Sequence, residues 1–500
     1  MFKGHPKGLY VLFFTEMWER FGFYTMLAIF VFYLGENFGW PASRTTEVYG
    51  IFLAGVYLTP ILGGWLADNF LGYGRTIIIG AITMGVGYAM MAAPTSDPMQ
   101  VYIALGVVAL GNGLFKANIS VLVGNLYSHT QNSLKDAGYN IFYMGINVGA
   151  FYAPFAASGI KNFFLDNFNV TLAVGYNAGF GLAAFGMLMS LLIFVIFRKH
   201  YKSADYTSKK QTNPDVDQKL TPQQEKQRIG ALLIIFAIVI FFWMAFHQNG
   251  AALSLFAKDY IHGSVGPWTY MLFDVIGLHA LLITLMGLIG LINPKIQGKL
   301  KMVSAAAVII GAIVMIYKYN SFDGTNNLDP EKFQIFNPMF IVFITPIIVG
   351  FFAYLNKKGK EPSSPAKIGI GMVITGLAYC VMVFASMNLP GVYTLGEGSS
   401  AMTISPFWLI GTYFTLTIAE LFLSPMGLSF VSKVSPAKIK GLMMGGWFLS
   451  TAIGNYLSGF VGRFYQDWEL WQFFLLLVAT SVAAALMLLS VLKRLKRATQ

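Results

Sequence analysis

Apolar runs of about twenty residues follow one another along nearly the whole chain, separated by short polar connectors. A helix that crosses a lipid bilayer needs about 20 mostly apolar residues, so this pattern predicts membrane-spanning helices. Six of them precede a long polar stretch, over residues 8–34, 48–70, 76–93, 100–124, 138–160 and 174–197. Eight follow it, over residues 229–257, 271–292, 302–319, 334–355, 368–387, 406–430, 441–464 and 470–492.

The polar stretch, residues 198–228, divides the spans into two groups. We expect a solvated cytoplasmic linker there, between an N-terminal six-helix bundle (1–197) and a C-terminal bundle (229–500). The second group has eight spans, two more than a six-helix bundle, and the two extra spans are interpreted as an inserted hairpin at about 271–319. The predicted fold is an all-α integral membrane protein with two six-helix bundles plus an inserted two-helix hairpin, which is the plan of the major facilitator superfamily with two extra helices.

The loop between spans 2 and 3 supports this fold. Its sequence "GGWLADNFLGYGR" (63–75) resembles the cytoplasmic loop signature of the major facilitator superfamily, and Asp68 and Arg75 occupy the charged positions. The glycines permit close contact between helices, and the charges can cap neighbouring helix ends.

Composition and charge agree with a membrane protein. The chain is 56% hydrophobic and 11% charged, against roughly 25% charged residues in soluble proteins. The net charge of +12 does not indicate a nucleic-acid partner, because Lys and Arg gather in connectors such as 293–301, 356–367 and 432–440. These connectors share the side of the linker, so the positive-inside rule predicts a multi-pass protein with cytoplasmic N- and C-termini. The lone Cys380 excludes an intramolecular disulfide and a cysteine metal cluster.

Span 1 carries three charges inside an apolar run. Glu16, Glu19, Arg20 and Tyr24 fall on one stripe of a helix. A charge at the bilayer centre costs at least ~2.5–3.5 kcal/mol, so this stripe is predicted to face the interior of the bundle. One acid can pair with Arg20 while the other takes up a proton, which is a proton-relay design. The alternative is a static ion pair that fixes helix packing, although buried ion pairs add little net stability.

Two isolated charges lie in other spans. Lys116 in span 4 is a candidate ligand for a carboxylate, either of a substrate or of Glu16 or Glu19. Its alternative is snorkelling to the interface. Glu420, in span 12, is a candidate for binding an ammonium group or exchanging protons, and its alternative is a packing contact with a neighbouring helix.

The motifs also resemble a known family. "EMWERFGFY" (16–24) resembles the E-x-x-E-R-F-x-Y-Y signature of the proton-dependent oligopeptide transporter family, with Phe23 in place of the first Tyr. "GNGLFKANIS", "FYMGINVGA", "FWMAFHQNGAALSLFA", "AELFLSPMGLS" and "GLMMGGWFLSTAIGNYLSG" resemble later family segments in the same order. The resemblance covers nearly everything except the linker and the hairpin.

The resemblance implies a proton-coupled symporter of the bacterial plasma (inner) membrane that imports di- and tripeptides by alternating access. Protons are the coupling ion, and no other cofactor, metal or obligatory protein partner is expected. Implied proton-coupling and gating residues are Glu16, Glu19, Arg20, Lys116, His247 and Glu420. Implied substrate-binding residues are Tyr24, Tyr57, Lys116, Tyr143, Asn147, Trp243, Asn337, Glu420, Ser424 and Trp447.

The implied roles differ by chemistry. Lys116 would hold the carboxylate end of a peptide, Glu420 the amino end, and Asn147 and Asn337 the peptide backbone. The tyrosines would supply hydroxyls and the tryptophans side-chain pockets. Interface anchoring is the alternative for the tyrosines, and helix packing or interhelix hydrogen bonding is the alternative for the tryptophans and asparagines.

Two positions depart from the family pattern. Leu27 stands where the family usually carries an Arg that helps to hold the substrate carboxylate, and His247 replaces an acid four residues after Trp243. These departures leave open a carrier of the same fold for another solute, such as a modified peptide, an anion or a drug.

Two other classes of protein fit less well. A sugar facilitator fits the architecture but not the charges of span 1. A membrane enzyme would need an H-E-x-x-H, G-x-S-x-G or cysteine site, and the sequence contains none.

Overall fold

The fold was analysed in a computed structural model that describes residues 4–127, 132–205, 221–395, 399–436 and 439–497. Residues 206–220 of the predicted linker lie outside the described residues. In the first part of the linker, Tyr201 is buried and stacks on Phe194, which anchors this segment to the end of the preceding helix. At its other end, the following helix already begins at Pro222.

The described residues form fourteen helices of 18 residues or more, which we number in chain order. The first half contains α1 (Lys7–Phe38), α2 (Ala42–Leu66), α3 (Tyr73–Ala92), α4 (Pro98–Asn125), α5 (Asn132–Phe168) and α6 (Leu172–Ile196). The second half contains α7 (Pro222–Phe246), α8 (Val275–Ile292), α9 (Lys299–Ser321), α10 (Phe336–Lys357), α11 (Ser364–Ser386), α12 (Pro406–Val434), α13 (Lys440–Asp467) and α14 (Leu470–Arg497).

The helices confirm the predicted all-α membrane fold. Within the described residues, 12 helices are long and apolar enough to cross a membrane. The remaining two long helices, α5 and α13, are more polar. Both line the contact between the two halves, where α5 meets residues before α10 and α13 packs against α2. Their polarity therefore reflects an interior position rather than exposure to solvent.

The seventh predicted span, 229–257, differs from the prediction because it is not one continuous helix. Helix α7 ends at Phe246, a 3₁₀ turn covers His247–Gly250, and a short helix resumes over Ala252–Tyr260. A broken helix leaves backbone carbonyls without intrahelical partners, which is costly inside a membrane. Side chains from other helices satisfy two of these carbonyls, as Tyr379 Oη donates to Ala245 O at 2.5 Å and Tyr413 Oη donates to Asn249 O at 2.7 Å.

The two halves contact each other at one end of the molecule. We call the end with the basic connectors 293–301, 356–367 and 432–440 the basic face, and the other end the opposite face. Near the opposite face, α2 and α13 approach so closely that a Cβ on Gly50 would overlap the backbone of Gly459. Small residues allow such contact between membrane helices.

Polar contacts between the halves lie on the same side. The backbone N of Ala42 donates to Gln466 Oε1 at 3.2 Å, and Arg463 pairs with Glu47. The helices therefore meet at the opposite face.

Helices α8 and α9 form the predicted inserted hairpin. They pack against each other, and α9 is almost entirely exposed on the outside of the bundle. The ring of His279 in α8 stacks on Tyr152 of α5, and its Nε2 lies 2.7 Å from the Tyr152 hydroxyl. The hairpin thus rests against the first half of the molecule, although it is inserted in the second.

Candidate functional site

The three charges of α1 are buried together. Glu16 is 2% exposed, Glu19 0% and Arg20 3%. Arg20 Nη2 donates to Glu19 Oε1 at 2.7 Å, and Arg20 Nε pairs with Glu19 Oε2. Glu16 Oε1 lies 3.4 Å from Arg20 Nε, while its Oε2 has no hydrogen-bond partner among the described residues.

This geometry distinguishes the two acids. Glu19 forms a bidentate pair with the guanidinium and is the permanent counter-ion of Arg20. Glu16 holds only a longer contact, and a buried carboxylate oxygen without a donor is costly. Glu16 is therefore the acid of this cluster whose geometry is compatible with taking up and releasing a proton.

Lys116 of α4 faces the same region instead of snorkelling to the interface. Its Nζ lies 4.4 Å from the ring centroid of Tyr57 in α2, a cation–π distance. It also lies within electrostatic range of Glu16, Glu19 and Arg20. One ammonium group thus faces two acids and one guanidinium.

His247 contacts this group from the second half. Its ring stacks on Trp243 at 5.5 Å and meets the ring of Tyr57 edge-on at 6.0 Å. His247 Nε2 is buried and has no hydrogen-bond partner among the described residues. Because His247 begins the 3₁₀ turn after α7, the ring lies where the broken span meets the first half.

Glu420 of α12 is held by its neighbours. Asn337 Nδ2 of α10 donates to Glu420 Oε2 at 2.9 Å and to Thr417 Oγ1 at 3.1 Å. Asn337 therefore fixes the Glu420 carboxylate, and its predicted contact with a peptide backbone stays a prediction. Thr417 was not predicted, since a Thr in an apolar helix carries no distinguishing pattern.

Two tyrosines connect the charges of the two halves. Tyr24 and Tyr57 each lie within electrostatic range of Arg20 in the first half and of Glu420 in the second. The ionisable groups of α1, α4 and α12 therefore border one shared region between the halves.

Of the two predicted residues of α5, Tyr143 borders this region. Tyr143 is 52% exposed yet lies within electrostatic range of the buried Glu16, so its exposed surface faces the space between the halves. Asn147 Nδ2 donates to the Tyr143 carbonyl, one turn earlier in the helix. Ser424 is partly exposed, but its Oγ has no hydrogen-bond partner in the described chain.

The two predicted tryptophans lie mostly in packed surroundings. Trp447 is 3% exposed and its indole contacts Gly427 of α12. Trp243 is 8% exposed and packs against Gly454 of α13. In this conformation both rings therefore pack between helices. Leu27, which replaces the usual Arg, is buried in the apolar core.

Tyr88 of α3 is a neighbour of this site that sequence reasoning missed. It is fully buried, its hydroxyl has no hydrogen-bond partner among the described residues, and it lies within electrostatic range of Glu19 and Arg20. No motif surrounds it, so only the packing of α3 against α4 and α6 reveals its position.

Comparisons with known proteins identify the family. The POT family profile, PTR2, matches residues 74–221 and 319–472. The chain is 31% identical to the uncharacterized transporter YclF of Bacillus subtilis, over 93% of this chain and 89% of that protein. It is 29% identical to a di-/tripeptide transporter of Lactococcus lactis subsp. cremoris (98% and 96% covered) and 28% identical to dipeptide and tripeptide permease A of Escherichia coli K12 (99% and 94% covered).

Solved structures agree with this assignment. A mutant of peptide transporter POT in complex with alafosfalin is 27% identical and superposes with a TM-score of 0.74, covering 100% of this chain and 96% of that one. A crystal structure of peptide transporter POT with sulfate has the same TM-score at 26% identity, covering 100% and 96%. The family and these relatives are transporters, which excludes the enzyme alternative. The fold, the buried α1 charges and these matches together establish that the chain belongs to the POT family.

Proposed function

We propose that this chain imports di- and tripeptides together with protons by alternating access. The observation that carries the proposal is the shared region in which Glu16, Arg20 and Lys116 of the first half face Glu420 of the second across Tyr24 and Tyr57. Midplane sites between two halves are characteristic of secondary transporters. The relatives named for di- and tripeptides support the substrate class.

The proposed orientation puts the basic face in the cytoplasm of a bacterial cell, as the positive-inside rule predicts. The halves meet at the opposite face, so this conformation would be open to the cytoplasm. Both termini would be cytoplasmic, and the membrane would be the plasma membrane.

Coupling follows from competition for Lys116. An ionised Glu16 attracts the Lys116 ammonium, because the two groups lie within electrostatic range. A proton on Glu16 removes that attraction and leaves Lys116 available for the carboxylate of a peptide. Proton and peptide would therefore favour each other's binding, which is the requirement for symport.

Glu420 is proposed to bind the peptide's ammonium group. Replacing Glu420 with Gln keeps an acceptor for Asn337 but removes the charge. Since charge-assisted hydrogen bonds are roughly twice as strong as neutral ones, we expect about tenfold weaker binding of dialanine. N-acetylated dialanine, which lacks the ammonium group, is the matched control and should bind both proteins equally. Unchanged dialanine affinity in Glu420→Gln would remove Glu420 from substrate recognition.

His247 is proposed to act in gating through the contacts of its ring with Trp243 and Tyr57, and not by gaining or losing a proton. Aromatic pairs contribute about 0.5–1.5 kcal/mol, so losing the contact with Tyr57 and Trp243 in His247→Ala should slow uptake by roughly two- to tenfold. His247→Phe keeps a ring and should restore the rate with the wild-type pH profile. A shifted pH optimum in His247→Phe would instead assign a protonation role to the imidazole.

A carrier of another solute is the second candidate, and Leu27 favours it. A buried leucine in place of an Arg removes one cation from the site, which weakens the case for ordinary dipeptides. Ligand binding raises the thermal stability of the bound protein, so a panel of di- and tripeptides, phosphonopeptides, amino acids and anions separates the candidates. Stabilisation by anions or phosphonopeptides without any dipeptide response would contradict the main proposal.

A further inference from the structure

A second group of buried charges joins the halves at the opposite face. Lys161 of α5 lies 3.1 Å from Asp329 Oδ1 and 2.5 Å from Glu331 Oε1. Ser158 Oγ donates to Asp329 Oδ2 at 2.7 Å, and Lys332 Nζ lies 3.0 Å from the same oxygen. We call Lys161, Asp329, Glu331 and Lys332 the outer charge cluster.

The cluster spans the division between the halves. Lys161 belongs to the first half, whereas Asp329 precedes and Glu331 lies within the 3₁₀ turn Pro330–Ile335 that leads into α10. Two cations and two anions balance, so the closed cluster carries no net charge. The rings of Tyr176 and Tyr270 flank the ammonium groups of Lys161 and Lys332, at 5.7 and 5.6 Å.

Within the cluster, the Lys161–Glu331 pair differs in its burial from the Arg463–Glu47 pair, which also joins the halves. Glu331 is 0% exposed and Lys161 5%, whereas the Arg463 and Glu47 side chains are 44% and 21% exposed. An exposed pair contributes about 0–1 kcal/mol, but removing one partner of a buried pair is strongly unfavourable. The Arg463–Glu47 pair is therefore a surface contact, and the Lys161–Glu331 pair is part of the buried interface between the halves.

We propose that the outer charge cluster is the latch that holds the opposite face closed during the transport cycle. The inference rests on the proposed alternating access. When the halves part at this face, Lys161 leaves Asp329 and Glu331, and water reaches the central site from outside.

Charged residues suit a contact that must form and separate repeatedly. Water solvates separated carboxylate and ammonium groups well, so the open state is not penalised as it would be if large apolar side chains became exposed. In the closed state, the short bonds of Lys161 to two acids fix one register of α5 against the turn before α10. The cluster thus favours closure without trapping it.

The test measures the conformational equilibrium directly. One pair of spin labels, on Asp166→Cys and Asn327→Cys, measures the distance between the halves at the opposite face. A second pair, on Lys199→Cys and Lys358→Cys, measures it at the basic face, and both pairs are made in a Cys380→Ser background. Double electron–electron resonance is recorded for the full chain in lipid nanodiscs without peptide. Adding Lys161→Met should raise the ratio of outward-open to inward-open molecules by at least about tenfold, within the range of known conformational couplings.

Matched variants separate a latch from a general loss of stability. Arg463→Met removes the exposed pair at the same face and should change the ratio less than about threefold. Lys161→Arg keeps the charge and should stay near the wild-type ratio. Glu331→Gln is nearly isosteric and should move the equilibrium in the same direction as Lys161→Met, so it serves as the test if Lys161→Met does not fold.

Unchanged distance distributions in folded Lys161→Met or Glu331→Gln would overturn the latch. The same holds if Arg463→Met shifts the equilibrium equally. The measurement uses no substrate, so failure of the latch and failure of peptide transport are distinguishable. If Lys161→Met shifts the distances but the protein transports no peptide, the latch stands and only the proposed substrate is refuted.

Discussion

Glu16→Gln is expected to abolish proton-driven accumulation of peptide while leaving peptide exchange intact. The Glu16 carboxylate lies within reach of Arg20 with one oxygen and has no partner for the other, so it is the acid whose proton can be gained and lost. A pH gradient of one unit supports at most about tenfold accumulation for each coupled proton, because 1.36 kcal/mol corresponds to a factor of ten. In proteoliposomes with an inward proton gradient, the variant should therefore reach no accumulation above equilibrium.

Two comparisons make this prediction specific. In counterflow, labelled dialanine exchanges for unlabelled dialanine without a proton gradient. Counterflow should persist, because it needs only peptide binding and the alternating-access movement of the two halves. Glu19→Gln is the matched control, since it breaks the bidentate pair with Arg20 and should destabilise the protein instead, by about 3–5 kcal/mol as for other broken buried pairs. Gradient-driven accumulation that survives in Glu16→Gln would show that another group carries the proton.

Lys116→Ala is expected to weaken binding of peptides with a free carboxylate by about 10- to 150-fold. This range corresponds to losing a charged hydrogen bond of about 1.5–3 kcal/mol. Lys116 is suited to this role because it faces the shared region over the ring of Tyr57 and is not held by a direct ion pair with a described residue. Isothermal titration of dialanine into the detergent-solubilised protein measures the change.

A double-mutant cycle between protein and ligand isolates the contact. Amidated dialanine lacks the carboxylate, so wild-type protein should bind it as weakly as Lys116→Ala binds dialanine. Lys116→Ala should then bind amidated dialanine almost as tightly as it binds dialanine. Lys116→Arg retains a cation and should keep most of the preference for the free acid. Equal losses on amidation in wild type and Lys116→Ala would place the carboxylate elsewhere.

The sequence was sufficient to predict the fold and the buried face of α1. Apolar runs of bilayer length define the helices, and the spacing of Glu16, Glu19, Arg20 and Tyr24 puts them on one stripe whatever the rest of the chain does. The difference between Glu16 and Glu19 was not predictable, because it depends on which carboxylate meets the Arg20 guanidinium. Which carboxylate pairs with Arg20 depends on the side-chain conformations within this helical turn.

The break after α7 was not predictable from local pattern. The residues from 229 to 246 are uniformly apolar, and the sequence that follows contains no proline to mark an interruption. The exposed carbonyls are satisfied by Tyr379 and Tyr413, which lie more than one hundred residues further along the chain. A break that is stabilised by tertiary partners appears only when the helices are assembled.

The outer charge cluster was missed for a similar reason. Lys161 stands next to the end of a predicted span, and Asp329 and Glu331 belong to the connector between the spans predicted over 302–319 and 334–355. Charges at such positions are usually solvated, and no spacing in the sequence relates α5 to the turn before α10. Their burial follows from the docking of the two halves, which the sequence pattern does not specify.

The central claim is that one site binds peptide and proton together, and the most direct measurement follows both at once. Proteoliposomes containing the protein and an internal pH-sensitive dye, clamped at zero membrane potential with no initial pH gradient, receive an inward gradient of labelled dialanine. The account predicts that the lumen acidifies as dialanine enters, and that Glu16→Gln abolishes the acidification. Entry of dialanine into wild-type vesicles at constant internal pH would contradict the account.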